Sequence, residues 1–211
     1  MYFAISDLAQ SDRYRLLTNT VAPRPIAWLS TRDAQGRRNL APFSFFNAMC
    51  SVPPILGIGI ARDAVRAGME EKDSLAAIRE TGEFVVATVS EDNALQMNRS
   101  AADAPAGEDE FAFAGVEAAE AKQVSASLVA SAPVNFECRL WQLLEPTPHT
   151  AIVLGEVLAI HVQDRFVGQE DGKLRIDLPA MHLIGRGHGA GWYWKDGDPL
   201  LIERESWPLG D

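Results

Sequence analysis

Strand patterns recur along this chain without the helices that would be needed to connect parallel strands. Residues 134–140 alternate apolar and polar side chains, which is the period of a half-buried antiparallel strand. Apolar runs at 55–60 and 151–162 predict two further strands, with Gly155 as a possible β-bulge. A parallel sheet would need regular alternation of strands and helices. The pattern therefore predicts a mainly β fold, an antiparallel barrel with a few peripheral helices.

A hairpin is expected near the start of the chain. The run 26–31 is compatible with a strand, and Asp33 and Gly36 occupy the first and last positions favoured in a type I turn. That turn leads into a second strand over 37–44. The hairpin carries most of the polar residues considered below.

Two short helices are predicted beside the strands. Asp73 or Ser74 is a candidate N-cap for the first, and Gly82 lies where a left-handed residue would end it. Ser90 is a candidate N-cap for the second, which would run through Arg99. The acidic segment that follows contains Pro and Gly and predicts a loop.

The composition excludes several classes of protein. The 211 residues are 47% hydrophobic and 23% charged, without a linker or repeat, which predicts a single globular domain over 1–211. A formal net charge of −10 disfavours nucleic acid and anionic membranes as partners. No apolar run approaches the roughly 18 residues that a membrane span requires. Two cysteines, Cys50 and Cys138, are too few for a disulfide framework, so a reducing cytoplasm is expected.

Several catalytic motifs are missing from the sequence. The glycine cluster 185–191 lacks the G-x-G-x-x-G spacing of a dinucleotide fold, and neither a Walker lysine motif nor a G-x-S-x-G elbow occurs. The four histidines lack the helical spacing of a zinc site, so no metal is expected. His161 falls in an apolar strand pattern, which favours a structural role.

Phosphate-binding and aromatic residue types are concentrated in two neighbouring segments. Residues 22–31 and 39–47 combine an arginine, hydroxyls, amides and three phenylalanines. Arginine offers a planar fork for phosphate, and phenyl rings offer an apolar wall for a flat heterocycle. Lys72 and Ser74 add a charge and a hydroxyl at a predicted helix start, which favours an anion. Together the two segments predict a nucleotide-like cofactor, although each piece alone is compatible with core or solvated surface.

With these motifs the sequence resembles the flavin reductase-like family of the FMN-binding split barrel, which includes flavoredoxins. The resemblance rests on Pro23-Arg-Pro-Ile26, Asn39-x-Ala-Pro-Phe-Ser-Phe-Phe46, Lys72-Asp-Ser74 and Thr81-Gly-Glu-Phe84, in the family's order, and covers roughly residues 15–195. It implies an antiparallel Greek-key split barrel. It also implies a homodimer that holds FMN near the subunit interface.

The resemblance further implies which side chains hold the cofactor. The phosphate or ribityl chain would be contacted by Arg24, Thr31, Lys72 and Ser74, with Ser30 and Asn39 as companions. The isoalloxazine would lie along Ser44, Phe45, Phe46 and Asn47. Replacement of Arg24 or Lys72 by Ala is expected to weaken FMN binding by about 1 to 3 kcal/mol and to leave the fold intact.

The activity implied by the resemblance is that of an NAD(P)H-dependent flavin reductase. The flavin carries the redox chemistry, so no catalytic side chain is expected. NADH or NADPH would pass a hydride to flavin N5, and the electrons would go to free flavin, a partner oxygenase or another acceptor. Two alternatives stay open: a flavoredoxin-like electron carrier that retains FMN and docks on a protein partner, and a flavin-free barrel enzyme.

The tryptophan-rich cluster 192–194 is compatible with core, interface or cofactor lid.

Overall fold

The computed structural model describes residues 1–62, 71–102, 104–105, 107–189, 191–195, 197 and 199–202. Its α-helices are α1 Gln10–Thr20, α2 Asp73–Thr81, α3 Ala94–Arg99 and α4 Glu110–Ala114. Its strands are β1 Ala27–Arg32, β2 Arg38–Phe43, β3 Phe45–Ser51, β4 Pro54–Ala61, β5 Glu83–Ala87, β6 Ala118–Ala119, β7 Leu128–Val129, β8 Val134–Thr147, β9 Thr150–Val162, β10 Val167–Glu170, β11 Lys173–Ile176, β12 Ile184–Arg186 and β13 Tyr193–Lys195. Among the described residues, no helix combines the length and apolar character needed to cross a membrane.

One antiparallel sheet of seven strands, in the order β2-β1-β5-β8-β9-β4-β3, organises the molecule. Its edge strands, β2 and β3, are separated in the chain by Ser44 alone. In a flat sheet of seven strands the edges would be about 29 Å apart, at about 4.8 Å per strand. One residue spans at most about 3.6 Å, so the sheet must curl until its edges meet. The predicted mainly β, antiparallel Greek-key barrel with peripheral helices is confirmed.

The two largest hydrophobic clusters among the described residues lie on opposite sides of the sheet, because successive residues of a strand face opposite sides. Ala27 and Leu29 of β1 face the barrel interior, where buried side chains of β4, β5 and α2 also pack. Trp28 faces the outer layer, which is covered by α3 and α4. By the same alternation, Thr31 continues the inner face of β1 and Ser30 the outer face.

Helix α2 closes one end of the barrel. Leu75 and Ile78 are fully buried in the interior cluster. The expectation that Asp73 or Ser74 caps the helix is wrong: Lys72 occupies the N-cap position and makes no side-chain capping bond. A lysine ammonium has no acceptor for the backbone N–H groups of the first turn. Gly82 ends the helix with φ +70°, as predicted.

The second predicted helix is shorter than expected and is followed by another. Ser90 forms a capping box with Asn93, which confirms it as an N-cap, but the first turn is a 3-10 turn over 91–93 that leads into α3. The segment 101–110, predicted as a loop, contains no helix before Glu110 among its described residues; α4 begins at Glu110, and its N-cap Asp109 accepts from the backbone N–H groups of its first turn. The short helix α4, which follows this loop, was not predicted from the sequence.

Strands β8 and β9 are the longest pair in the sheet and confirm the strands predicted at 134–140 and 151–162. Gly155 does not supply the bulge that was expected there. The extra residue is Trp141 on β8, because Leu140 pairs with Gly155 and Gln142 with Leu154. Gly155 instead leaves room for a neighbour, since a Cβ there would lie 2.2 Å from Cζ of the buried Phe84 ring.

Candidate cofactor site

The β2–β3 corner, residues 43–45, lies between two positively charged side chains. Lys72 Nζ is 5.7 Å from the centroid of the Phe43 ring, and Arg24 Cζ is 5.9 Å from the centroid of the Phe45 ring. Both distances are within the range of a cation–π contact. Phe43 is buried, whereas Phe45 is 41% exposed and Ser44 is half-buried. The corner thus presents one aromatic ring and one hydroxyl to solvent, with a cation on each side.

Four of the predicted polar residues meet at the N-terminal end of α2. Thr31 and Asn39 are opposite each other on β1 and β2, and the Asn39 amide lies 2.7 Å from Ser74 Oγ. Lys72 precedes them at the N-cap. Thr31 and Ser74 are buried, while Asn39 and Lys72 are half-buried and can reach a ligand. The uncapped start of α2 and the lysine favour an anion here.

Two hydroxyls of β1 are buried without a hydrogen-bond partner among the described residues: Ser30 Oγ and Thr31 Oγ1. Each costs about 1 to 3 kcal/mol if it stays unsatisfied. Thr31 lies on the face of β1 that points to Asn39 and α2. Ser30 lies on the opposite face, opposite Leu40, so the two hydroxyls cannot contact the same ligand.

Arg24 is buried and hydrogen-bonded to backbone carbonyl groups, which the sequence did not suggest. Its side chain is 6% exposed and donates to the carbonyl oxygens of Thr18 at 2.6 Å, Val21 at 3.0 Å and Gly187 at 3.2 Å. Burial lowers the pKa of Arg24, Tyr14 raises it and the charge of Arg186 lowers it. The guanidinium ties the end of α1 to the segment before β13. Removal of this side chain would therefore also loosen the fold, contrary to the expectation that Ala leaves the fold intact.

Strand β3 is an accessible edge next to the corner. Six of its seven residues are exposed, among them Asn47, whose Oδ1 accepts from the Ala48 N–H at 2.8 Å. Phe46 is the exception and packs against the barrel interior. Phe45 lies with its ring centroid 6.4 Å from that of Tyr14 on α1. The edge offers aromatic carbon and backbone polar groups to a flat ring.

A buried carboxylate outside the corner, hydrogen-bonded to a histidine, was not found from the sequence. Glu137 is fully buried, and one of its oxygens lies 2.5 Å from His161 Nε2. The same carboxylate accepts from the backbone N–H groups of Lys122, Gln123 and Val124 at 3.0, 2.5 and 3.1 Å. Burial raises the pKa of Glu137, but the hydrogen bonds from His161 and the backbone lower it further, so the pKa is below its ordinary value. The Glu137 carboxylate thus holds residues 122–124 against β8. His161 bonds to this carboxylate, in agreement with a structural role for His161.

The comparisons with known proteins agree with this architecture. The sequence matches the model of the flavin reductase like domain over residues 20–181, so the chain belongs to this family of flavin-related oxidoreductases. An uncharacterised protein of Deinococcus radiodurans is 40% identical over 96% of this chain and 89% of its own length.

Two solved structures superpose over nearly the whole chain. Nitrilotriacetate monooxygenase component B from Bacillus cereus has a TM-score of 0.85 and 29% identity, covering 96% of this chain and 98% of that one. The 2-nitrobenzoate 2-nitroreductase NbaA from Pseudomonas fluorescens has a TM-score of 0.85 and 27% identity, covering 100% of both chains. Both proteins are redox enzymes or components of one by name, which fits the family assignment.

Proposed function

We propose that this protein is an FMN-dependent flavin reductase that is reduced by NADH or NADPH. The observation that carries the proposal is the β2–β3 corner, where an exposed phenyl ring and a hydroxyl adjoin an uncapped helix N-terminus with its lysine. Membership of the flavin reductase like family supports it. When bound, FMN accepts a hydride at N5 and passes the electrons on.

The donor set at the corner fits FMN in charge and in shape. Lys72, the start of α2 and the Asn39 amide would hold the phosphate, since Lys72 and Asn39 are only half-buried and a helix N-terminus with a lysine favours an anion. Ser74 is buried and bonded to the Asn39 amide, so it would orient that amide rather than touch the ligand, whereas the buried Thr31 hydroxyl makes no bond to Asn39.

The flat ring would lie on the exposed side of the corner. Phe45 and Asn47 are the accessible side chains there, Ser44 offers a hydroxyl at the turn, and Phe46 supports the wall from the interior. Ser30 is buried on the opposite face of β1. Arg24 lies next to the Phe45 ring but is buried and donates to backbone carbonyl groups, so both residues would act by supporting β1 and α1. An aromatic wall that stays partly open to solvent leaves one face of the ring accessible to a nicotinamide.

The electrons would pass to free flavin, to a partner oxygenase or to another acceptor. The name of the Bacillus cereus relative, a monooxygenase component, supports the oxygenase. We place the protein in the cytoplasm, where its two free cysteines, of which Cys50 is exposed, would stay reduced.

A second function, that of an electron carrier, is favoured by the acidic surface charge. A net charge of −10 would steer the protein to a basic redox partner. Such a carrier would keep its flavin and would not need to bind a nicotinamide nucleotide.

Anaerobic reduction separates the reductase from the carrier. The FMN-loaded protein is mixed with NADH and then with NADPH, and the flavin absorbance is followed. Prompt bleaching, with steady-state oxidation of the nucleotide when free FMN is added, is expected. If neither nucleotide bleaches the yellow protein but dithionite reduces it normally, the reductase proposal is contradicted and the electron carrier is supported.

A homodimer is the assembly we propose. Trp141 of β8, Ile160 of β9 and Met49 of β3 are 56, 57 and 54% exposed on strands of the main sheet. Large apolar side chains exposed on a sheet are typical of a protein interface. Sedimentation at micromolar concentration is expected to show a dimer for the wild type and for Leu95→Arg on α3, and a monomer for Trp141→Arg. A wild-type monomer would contradict the proposal.

A further inference from the structure

A second, open cleft lies near Phe45. Its described lining contains none of the residues proposed for the phosphate at the start of α2. It has a volume of about 720 Å³ and lies between α1 and residues Arg24, Ala61, Arg186 and Gly189. Tyr14 of α1 also lines it, and its ring centroid is 6.4 Å from that of Phe45. The cleft is large enough for a nucleotide and opens beside the surface proposed for the flavin ring.

The charge of this arginine cleft is opposite to that of the whole protein. Three arginines, Arg15, Arg24 and Arg186, line it, and none of the described lining residues is a carboxylate. Neither Arg24 nor Arg186 makes an ion pair with any acid in the part of the chain that the structure describes, and Arg15 is 3.9 Å from Asp12, with both side chains largely exposed. A smaller cleft beside Asn39, of about 250 Å³, shows the contrast: its described lining contains two arginines and five carboxylates.

The positive charge is also poorly compensated within the protein. Arg24 is nine-tenths buried, its Nε has no hydrogen-bond partner, and its other bonds go to neutral carbonyl groups. Arg186 donates to the carbonyl oxygen of Gly189 at 2.9 Å and lies 4.9 Å from the ring centroid of Tyr193. The guanidinium groups of Arg24 and Arg186 repel each other because no carboxylate of the described residues pairs with either of them. An anionic ligand would relieve this repulsion.

We infer that the arginine cleft binds the diphosphate of a nicotinamide dinucleotide. Arg15 and Arg186 are the accessible guanidinium groups and would contact the phosphate oxygens, while buried Arg24 would add to the positive potential. Tyr14 would pack on a base or ribose. The inference rests on the proposed function for the identity of the ligand as the reductant, whereas the presence of an anion site depends on the cleft alone.

The test uses ADP-ribose, which carries the diphosphate but no redox group, so that binding does not depend on turnover. Calorimetric titration is carried out on wild type, Arg15→Gln, Arg186→Gln and a control, Arg175→Gln, which lies on β11 away from the described lining. We expect the dissociation constant to rise about tenfold or more in the two cleft variants, because a charge-assisted bond to phosphate is lost, and to be unchanged in the control. Arg15 is exposed on a helix, so its variant will fold even if Arg186→Gln does not.

FMN titrations of the same four proteins separate the possible sources of the phosphate. Unchanged FMN affinity alongside weakened ADP-ribose binding supports the inference. Equal ADP-ribose affinity in all four proteins, or no binding at all, would overturn it and leave the flavin proposal untouched. Parallel loss of FMN affinity would also overturn it, because the cleft would then hold the flavin's own phosphate. If the wild-type protein binds ADP-ribose but no flavin, the anion site in the arginine cleft is supported and the proposed flavin reductase function is contradicted.

Discussion

Glu137→Gln is expected to destabilise the protein strongly, because the carboxylate is fully buried and serves several donors at once. Glutamine keeps one acceptor oxygen, and with that oxygen in the Oε2 position its amide N–H₂ faces the Lys122 N–H and His161 Nε2. Leaving one N–H unsatisfied costs about 1 to 3 kcal/mol, and two remaining bonds lose about 1 kcal/mol each when the charge is removed. The expected loss is therefore about 3 to 5 kcal/mol, a large part of the about 5 to 15 kcal/mol that holds a typical domain folded.

Urea denaturation at pH 7.5 measures this loss, with Glu83→Gln as the matched control. Glu83 accepts one bond from the Ser125 N–H, at 2.7 Å, in an exposed position of the same connection. Its variant is expected to lose less than about 1 kcal/mol. A Glu137→Gln variant within about 1 kcal/mol of wild type would refute the reasoning, since the buried carboxylate would then contribute no more than an exposed one.

The same pair gives a pH dependence with a defined sign. The pKa of Glu137 is lowered in the folded protein, so its contribution is complete above the ordinary glutamate pKa, about 4.3, and is lost as the pH falls through the lower folded value. The stability difference between wild type and Glu137→Gln should therefore shrink as the pH falls below about 4.3. A difference that grows with acidification would contradict this assignment.

Three further outcomes are expected. Gly155→Ala should lose about 1 to 3 kcal/mol of stability in the same urea assay, because its methyl group would overlap a buried phenyl ring, while Gly168→Ala, where a Cβ meets nothing within 4 Å, should be close to neutral. Lys72→Ala should raise the dissociation constant for FMN about tenfold or more and leave the dissociation constant for riboflavin unchanged, because riboflavin has no phosphate. Equal effects on both flavins would show that Lys72 does not bind the phosphate. Cys50 should react with a thiol reagent in the native protein and Cys138 only after unfolding, because burial and then the charge of Glu137 raise the pKa of the Cys138 thiol; simultaneous reaction of both would contradict the described burial.

The strands were predictable from local patterns, but the barrel's closure was not. Alternation and apolar runs located β4, β8 and β9, since each of these strands has its own apolar face. Nothing local shows that β2 and β3 become the two edges of one sheet. That follows from the strand order, which depends on contacts between residues far apart in the chain.

The candidate site shows a similar division between composition and placement. The residue types near the corner were found from the sequence, and the structure brings Thr31, Asn39, Lys72 and Ser74 to one helix end. The sequence did not show that Arg24 is buried against backbone carbonyl groups, because its three acceptors come from α1, from the residue that follows it and from a segment more than 160 positions away. Glu137 was also missed, since it occupies a polar position of an alternating strand, which ordinarily predicts exposure.

The most direct test of the central claim is a comparison of FMN and riboflavin binding to the flavin-free wild-type protein by equilibrium titration. The corner and the start of α2 are proposed to hold the ring and the phosphate together, so FMN should bind more tightly than riboflavin by about tenfold to 150-fold. Equal dissociation constants for the two flavins, or no binding of either, would contradict the account.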